Sequence, residues 1–143
     1  MSEAKRILVG ADGSDGSLRA VRWALAEARR RGDSVEVLHC WHVPYYGDMS
    51  GMAPYPIEVM DDSAKAVLEQ GLAAVATDAK GVELSGRTAS GNAATALIEA
   101  SAGADLLVVG RRGHGGFLTL VMGSVAQQVA SHAHCPVVIV GGD

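Results

Sequence analysis

The sequence is poor in aromatic residues and in cysteine, and both shortages narrow the possible folds. Only 4% of the 143 residues are aromatic, so Val, Leu, Ile and Ala must fill the core. Such a composition favours a buried parallel sheet beneath alanine-rich helices. The two cysteines, Cys40 and Cys135, lie far apart and form no Cys-x-x-Cys. We therefore expect neither a disulfide framework nor a zinc ribbon.

Basic charge and long apolar runs are also lacking. The formal net charge is −4 and the pI is about 5.7, whereas a nucleic-acid-binding face needs an excess of Lys and Arg. No apolar segment approaches the ~18 residues that a membrane-spanning helix needs. We therefore predict a cytoplasmic protein that binds neither nucleic acid nor membrane. Its length predicts one domain over residues 1–143.

Short apolar runs alternate with segments of helical periodicity, which predicts an α/β protein. The segment 43–60 interrupts this alternation with three of the four prolines, and we expect it to be a long loop that serves as a lid or a partner surface. The pattern predicts strands at 6–10, 34–41, 81–88, 104–109 and 136–140, and helices at 14–31, 61–79, from 91–92 to about 101 and from 124 to about 134.

Alternation of this kind implies a five-stranded parallel sheet with right-handed crossovers and helices on both faces. If the first three strands wind one way and the chain then returns past the first, the order is 3-2-1-4-5, as in Rossmann-like folds. The first and fourth strands are then neighbours at the reversal. Both are followed by glycine-rich loops, 10–16 and 110–124, so we expect one shared ligand site there.

The loop from Gly110 to Ser124 predicts the chemistry of that site. It joins an apolar strand to a helix start, and glycine lets a ligand approach backbone N–H groups at the positive end of the helix dipole. The three lysines, Lys5, Lys65 and Lys80, lie outside the glycine loops, which excludes Walker A chemistry. Phosphate charge would instead be balanced by amides, Mg²⁺ and Arg111 or Arg112.

The spacing of Gly110, Gly113, Gly123 and Ser124 matches the pattern Gly-x2-Gly-x9-Gly-Ser. On this motif the whole chain resembles the single-domain universal stress proteins of the ATP-binding type. The resemblance implies an adenine nucleotide alpha hydrolase-like fold with ATP between the first and fourth strands. It also implies a homodimer that forms through the C-terminal strand, 136–141.

The resemblance also implies roles for individual residues, each with a structural alternative. Asp12 would coordinate Mg²⁺ or accept a ribose hydrogen bond, or else form an Asx turn. The Cys40 backbone would read adenine, or Cys40 is a core cysteine. Ser124 would contact phosphate, and with Gln127 it forms a predicted capping box. The full implied site is Gly10, Ala11, Asp12, Cys40, Val109, Gly110, Arg112, Gly113, Gly123, Ser124 and Val125.

Two classes of function follow from such a site. In the first, ATP occupancy orders the glycine loop and changes which regulatory protein partner the surface binds. In the second, the chain is a slow ATPase or an autophosphorylating enzyme. Phosphoryl transfer needs a charge clamp and a placed base, and the sequence offers no persuasive pair. We therefore assign no catalytic residue and favour the nucleotide-responsive binding module.

Overall fold

The computed structural model describes residues 5–41, 57–111 and 123–141. Its sheet has five parallel strands in the order β3-β2-β1-β4-β5, which confirms the predicted topology. Within the described ranges, no helix is both long and apolar enough to cross a membrane. The elements are β1 (Arg6–Gly10), α1 (Asp15–Arg31), β2 (Ser34–Trp41), α2 (Ile57–Ala74), a 3-10 turn (Thr77–Ala79), β3 (Leu84–Ser90), α3 (Ala93–Ser101), β4 (Leu106–Gly110), α4 (Ser124–His132) and β5 (Val137–Val140).

Helices cover both faces of the sheet, and alternate residues of each strand point to opposite faces. Ile7 and Val9 of β1 pack against one core, to which α1 and α2 contribute. Leu8 packs against a second core, formed with α3 and α4. Because β1 and β4 lie inside the sheet, their apolar runs are buried on both faces, as is usual for parallel sheets.

The second helix begins four residues before the predicted start. We predict a loop over 43–60, but residues 57–60 are helical, and the rest of that loop lies outside the described residues. The prolines favour a loop in the sequence, but the last proline of the segment is residue 56, so no proline in 57–60 interrupts a helix. The predicted end at residue 79 is also wrong. Val75 and Ala76 donate to carbonyls three residues back, which tightens the chain into a 3-10 turn.

The third strand begins later than predicted, at Leu84 and not at Gly81. Gly81 has a φ of +83°, a left-handed conformation that a strand cannot continue. Val82 donates its N–H to the carbonyl of Ala79, which completes a turn. The chain becomes extended only after this turn, and β3 runs two residues beyond the predicted end, to Ser90.

The last helix ends at His132, two residues before the predicted end. Ser101, fully buried at the end of α3, accepts a hydrogen bond from the His134 N–H at 2.9 Å and donates to the Ile98 carbonyl. A proline also disfavours helical backbone at the residue before it, and Cys135 precedes Pro136. The chain therefore leaves the helix at Ala133, whose backbone is extended, and enters β5 at Val137.

Candidate functional site

The sheet brings the two predicted halves of the site to one edge. β1 and β4 are hydrogen-bonded neighbours, and the chain leaves their carboxyl ends in different directions, which opens a crevice at the reversal of strand order. A Cβ atom placed on Gly10 would lie 3.3 Å from Cγ1 of Val109, so the ends of the two strands are in contact. The site residues that the structure describes all lie on this carboxyl edge of the sheet.

Asp12 lies in the turn between β1 and α1, where hydrogen bonds hold its backbone and its side chain. Its N–H donates to Oγ of Ser17 at 3.2 Å, and its Oδ1 accepts the Ser14 N–H at 2.9 Å. The second bond is an Asx turn, the structural alternative for this residue. Such a turn fixes the orientation of the Asp12 carboxylate just beyond the carboxyl end of β1.

Ala11, next to Asp12, is held from β2. Its N–H donates to the Leu38 carbonyl at 3.1 Å, and its carbonyl lies 2.9 Å from Nδ1 of His39. The sequence interpretation missed His39. Strand alternation could have found it, because Val35 and Val37 are buried on one face and His39 must follow them onto that face at the carboxyl edge.

Gly110 has a packing function that the sequence interpretation did not include. A Cβ atom at this position would lie 3.0 Å from the Gly16 carbonyl oxygen and 3.1 Å from its carbon. Those atoms are backbone atoms in the first turn of α1, so they cannot move as a flexible side chain would. Two glycines therefore let the end of β4 approach the start of α1, and this approach sets the width of the crevice.

Both ends of the glycine loop are anchored by backbone hydrogen bonds. Arg111 donates its N–H to the Val140 carbonyl at 3.0 Å and accepts from the Gly123 N–H at 2.7 Å. The start of α4 is thereby joined to the end of β4. Two predicted site residues, Arg112 and Gly113, lie between these anchors and outside the described residues.

The N-terminus of α4 lacks a side-chain cap. The N-cap residue is Gly123, with φ −74° and ψ 166°, and among the residues that the structure describes no side chain caps the first turn. The predicted capping box is wrong by one position, because Ser124 is already the first helical residue and the Gln127 N–H donates to the Gly123 carbonyl. The N–H groups of Ser124 and Val125 lie in this uncapped first turn, where backbone donors lack intrahelical acceptors.

The starts of α1 and α3 are capped by side chains. Ser14 accepts the Ser17 N–H at 3.2 Å in α1, and Asn92 accepts the Thr95 N–H at 3.0 Å in α3. Among the helix starts whose caps the structure describes, α4 is thus the one whose first turn is left for an external acceptor. An anion at this point would meet both the unpaired donors and the positive end of the helix dipole.

Cys40 and Val109 turn their side chains away from the crevice. Val109 is buried in the core between the sheet and α3 and α4, and Cys40 packs against the same core. Burial raises the pKa of the Cys40 thiol, while the nearby Arg87 opposes this shift. Cys40 is therefore a core cysteine, as the structural alternative states, and only its backbone remains available to a ligand.

The fold and this edge define a doubly wound α/β protein with a crevice at its topological switch point, the usual position of ligand sites in this class. The profile of the Universal stress protein family matches residues 3–141. The chain therefore belongs to the universal stress protein family, and the predicted family is confirmed.

Individual relatives agree with this assignment. A universal stress protein of Mycolicibacterium smegmatis is 35% identical over 134 residues, which are 94% of this chain and 45% of that protein. A universal stress protein solved in complex with cAMP is 29% identical, with a TM-score of 0.71 over 97% of this chain and 98% of that one. The universal stress protein from Archaeoglobus fulgidus solved with dAMP is 22% identical, with a TM-score of 0.67 over 97% and 98% of the two chains.

The chain spans less than half the length of the curated relatives to which it is similar, since the M. smegmatis protein is covered over 45% of its length. The two solved structures, in contrast, are covered almost completely. The fold comparison therefore applies to the whole of those chains, whereas the match to the curated relatives covers only part of each of them.

Proposed function

We propose that the chain binds ATP with Mg²⁺ in the crevice between β1 and β4 and acts as a nucleotide-responsive regulatory module. The observation that carries this proposal is the uncapped first turn of α4 beside the reversal of strand order. In this proposal, ATP occupancy alters the surface that a regulatory protein partner meets. The relative solved with cAMP supports an adenine nucleotide as the ligand.

The phosphates are assigned to α4 and not to α1. The first turn of α1 already has the Ser14 hydroxyl and the Asp12 carboxylate as internal acceptors, and that carboxylate would repel an unscreened phosphate. At α4, no side chain in the described part of the chain caps the turn that contains the N–H groups of Ser124 and Val125. A hydrogen bond from such donors to a charged group contributes about 1.5–3 kcal/mol, so two of them would contribute about 3–6 kcal/mol to phosphate binding.

Asp12 suits a magnesium ion held between the protein and the phosphates. Mg²⁺ is usually bound by one or two carboxylates together with phosphate oxygens and water. The Asx turn at Ser14 orients the Asp12 carboxylate without neutralising its charge. When bound, Mg²⁺ would neutralise phosphate charge. A ribose hydroxyl that donates to the same carboxylate is the alternative use of Asp12.

The adenine ring is assigned to the end of β2, where the Cys40 backbone would donate to it and accept from it. The thiol is packed against the α3 and α4 core, so specificity would come from main-chain groups. Arg112 and Gly113 complete the proposed phosphate loop, together with Gly110 and Gly123.

Addition of Mg²⁺ and ATP is expected to raise the melting temperature by roughly 5–10 °C at about 100 times the dissociation constant. A ligand that binds only the folded state stabilises it by mass action, and the shift is measured by thermal denaturation against ATP concentration. Absence of a shift with ATP, ADP, AMP and cAMP would overturn the proposal.

Phosphate release from the same samples distinguishes a nucleotide-binding module from an ATPase. We expect fewer than about one phosphate released per chain over several minutes at saturating ATP, because no placed base has been assigned. Phosphate release is followed with a coupled colorimetric assay. Many turnovers in that time would favour the slow ATPase, and phosphate retained on the protein would favour autophosphorylation.

We propose further that two copies associate through β5. This strand lies at the end of the sheet order, its four residues are apolar and half-buried, and an unpaired apolar edge favours pairing with another chain. Pro136 accepts a hydrogen bond from the Leu107 N–H of β4, and Val140 accepts one from the N–H of Arg111, which directly follows β4. By alternation, Val137 and Ile139 direct their N–H and carbonyl groups outward, to the free edge.

Replacement of Ile139→Pro is therefore expected to convert a dimer into a monomer, because it removes an outward N–H without removing a hydrogen bond to β4. Ile139→Val is the matched control, since it keeps that N–H and is expected to remain dimeric. The mass in solution is measured by light scattering after size-exclusion chromatography, with circular dichroism to verify folding. A monomeric native chain, or a folded dimeric proline variant, would contradict the proposal.

A further inference from the structure

His39 lies beneath the candidate site and reaches it through one hydrogen bond. Its Nδ1 is 2.9 Å from the carbonyl oxygen of Ala11. A carbonyl oxygen only accepts, so Nδ1 of the imidazole carries the proton and donates. The ring belongs to β2, whereas Ala11 belongs to the turn that follows β1, and the bond therefore connects two elements of the site.

The peptide unit that this bond holds is the one that carries Asp12. Its carbonyl, from Ala11, accepts from His39, and its N–H, from Asp12, donates to Oγ of Ser17 at 3.2 Å. The peptide plane is thus fixed on both sides. Because the Asp12 side chain leaves the chain directly after this plane, rotation of the plane would redirect the carboxylate and displace the Asx turn to Ser14.

The surroundings of the ring strengthen this bond. His39 lines a small recess between α1 and α2 that is partly open to solvent. Its other walls are apolar, so water competes weakly for the donor and the acceptor. The side chains that form these walls include Leu18, Val21, Val67, Leu68 and Leu72.

We infer that His39 is a positioning residue for nucleotide binding, which acts by holding the Ala11–Asp12 peptide so that the Asp12 carboxylate faces the crevice. This inference rests on the proposed function for its effect on affinity. Its effect on the turn itself is independent of any ligand. His39 touches neither the phosphates nor the metal in this account.

Two substitutions of His39 distinguish the effect of its hydrogen bond from the effect of its side-chain volume. His39→Asn places an amide N–H donor at the same distance from Cβ as Nδ1, whereas His39→Leu fills similar space without a donor. We expect the dissociation constant of Mg²⁺ and ATP, measured by calorimetry, to rise about tenfold in the leucine variant. In the asparagine variant it stays within about threefold of the native value.

Amide hydrogen exchange in the absence of nucleotide gives the second readout. In His39→Leu, the amides of Asp12 and Ser14 are expected to exchange faster, while those of Ile7 and Val9 in β1 keep their protection. His39→Asn is expected to preserve protection at all four. A merely structural loss would instead raise exchange throughout β1 and would not be rescued by asparagine.

The two readouts distinguish failure of this inference from failure of the proposed function. If the native chain binds no adenine nucleotide, the proposed function fails, and the exchange pattern alone decides whether His39 positions the turn. If the native chain binds ATP and the leucine variant binds it equally well, the inference is overturned. Unchanged exchange at Asp12 and Ser14 in the leucine variant overturns it as well.

Discussion

A Gly123→Asp variant is expected to lose nucleotide affinity by at least about 100-fold while remaining at least as stable as the native chain. Gly123 is the N-cap of α4 and has an ordinary negative φ of −74°, so a side chain meets no left-handed strain there. Aspartate is a favoured N-cap because its carboxylate accepts N–H groups of the first turn and complements the helix dipole.

The same carboxylate explains the loss of binding. It would occupy the donors of the first turn of α4 that we assign to phosphate, and it would repel the triphosphate. The expected gain in the free energy of unfolding is about 0.5–1 kcal/mol. Binding and stability therefore change in opposite directions, which general damage to the fold would not produce.

Calorimetric titration with Mg²⁺ and ATP measures the affinity, and urea denaturation measures the free energy of unfolding. Gly123→Asn is the matched control, because asparagine caps the helix without a negative charge and is expected to weaken binding less than aspartate. If Gly123→Asp binds nucleotide with the native affinity, the start of α4 is not part of the phosphate site.

Replacement of Gly110→Val is expected to lower the free energy of unfolding by about 2–3 kcal/mol. The new Cβ would lie 3.0 Å from the Gly16 carbonyl oxygen, closer than van der Waals contact allows, and relief requires α1 and β4 to separate. Because these two elements set the width of the crevice, nucleotide affinity is expected to fall together with stability.

Gly71→Ala is the matched control for this prediction. A Cβ at Gly71 in α2 would lie 3.8 Å from Leu18 Cδ2, an ordinary contact, and alanine in a helix is favoured over glycine by about 0.5–1 kcal/mol. We expect this variant to be more stable than the native chain under the same urea denaturation. Equal stability of Gly110→Val and the native chain would contradict the packing role of Gly110.

The strand order could be predicted from the sequence because local patterns and global rules agree. β1 and β4 are short apolar runs that end at Gly10 and Gly110, and right-handed crossovers leave few orders for five such strands. β2 matches its predicted bounds, 34–41, because Gly32 ends α1 in a left-handed conformation and the extended run follows directly. The helix bounds could be predicted less well where tertiary contacts decide them, as at Ser101, which binds the His134 N–H and ends α4 early.

The candidate site could be predicted as a position but not as a set of contacts. Glycine spacing indicates the edge of the sheet, whereas the contact between Gly110 and Gly16 joins residues 94 positions apart and depends on how α1 packs. The bond from His39 to Ala11 likewise depends on strand pairing. The prediction of a capping box at Ser124 and Gln127 is wrong because the spacing of a serine and a glutamine does not show which residue is the N-cap.

The central claim is that an adenine nucleotide occupies the crevice at the carboxyl ends of β1, β2 and β4, and alkylation of the two cysteines tests it most directly. Both are half-buried free thiols whose pKa is raised by burial. Cys40 lies at the carboxyl end of β2, whereas Cys135 precedes the amino end of β5. Cys135 is therefore an internal control for Cys40.

The rate of iodoacetamide modification at each cysteine is measured by peptide mass spectrometry, with and without Mg²⁺ and ATP at about 100 times the dissociation constant. Because the Cys40 thiol packs against the core formed with α3 and α4, it reacts only when the end of β2 opens locally. A nucleotide bound to the Cys40 backbone would suppress this opening, so we expect ATP to slow modification of Cys40 by about 10–100-fold. ATP is expected to change the rate at Cys135 much less, and to protect neither cysteine in Gly123→Asp. An unchanged rate at Cys40 in saturating ATP, or equal protection of both cysteines, would contradict the account.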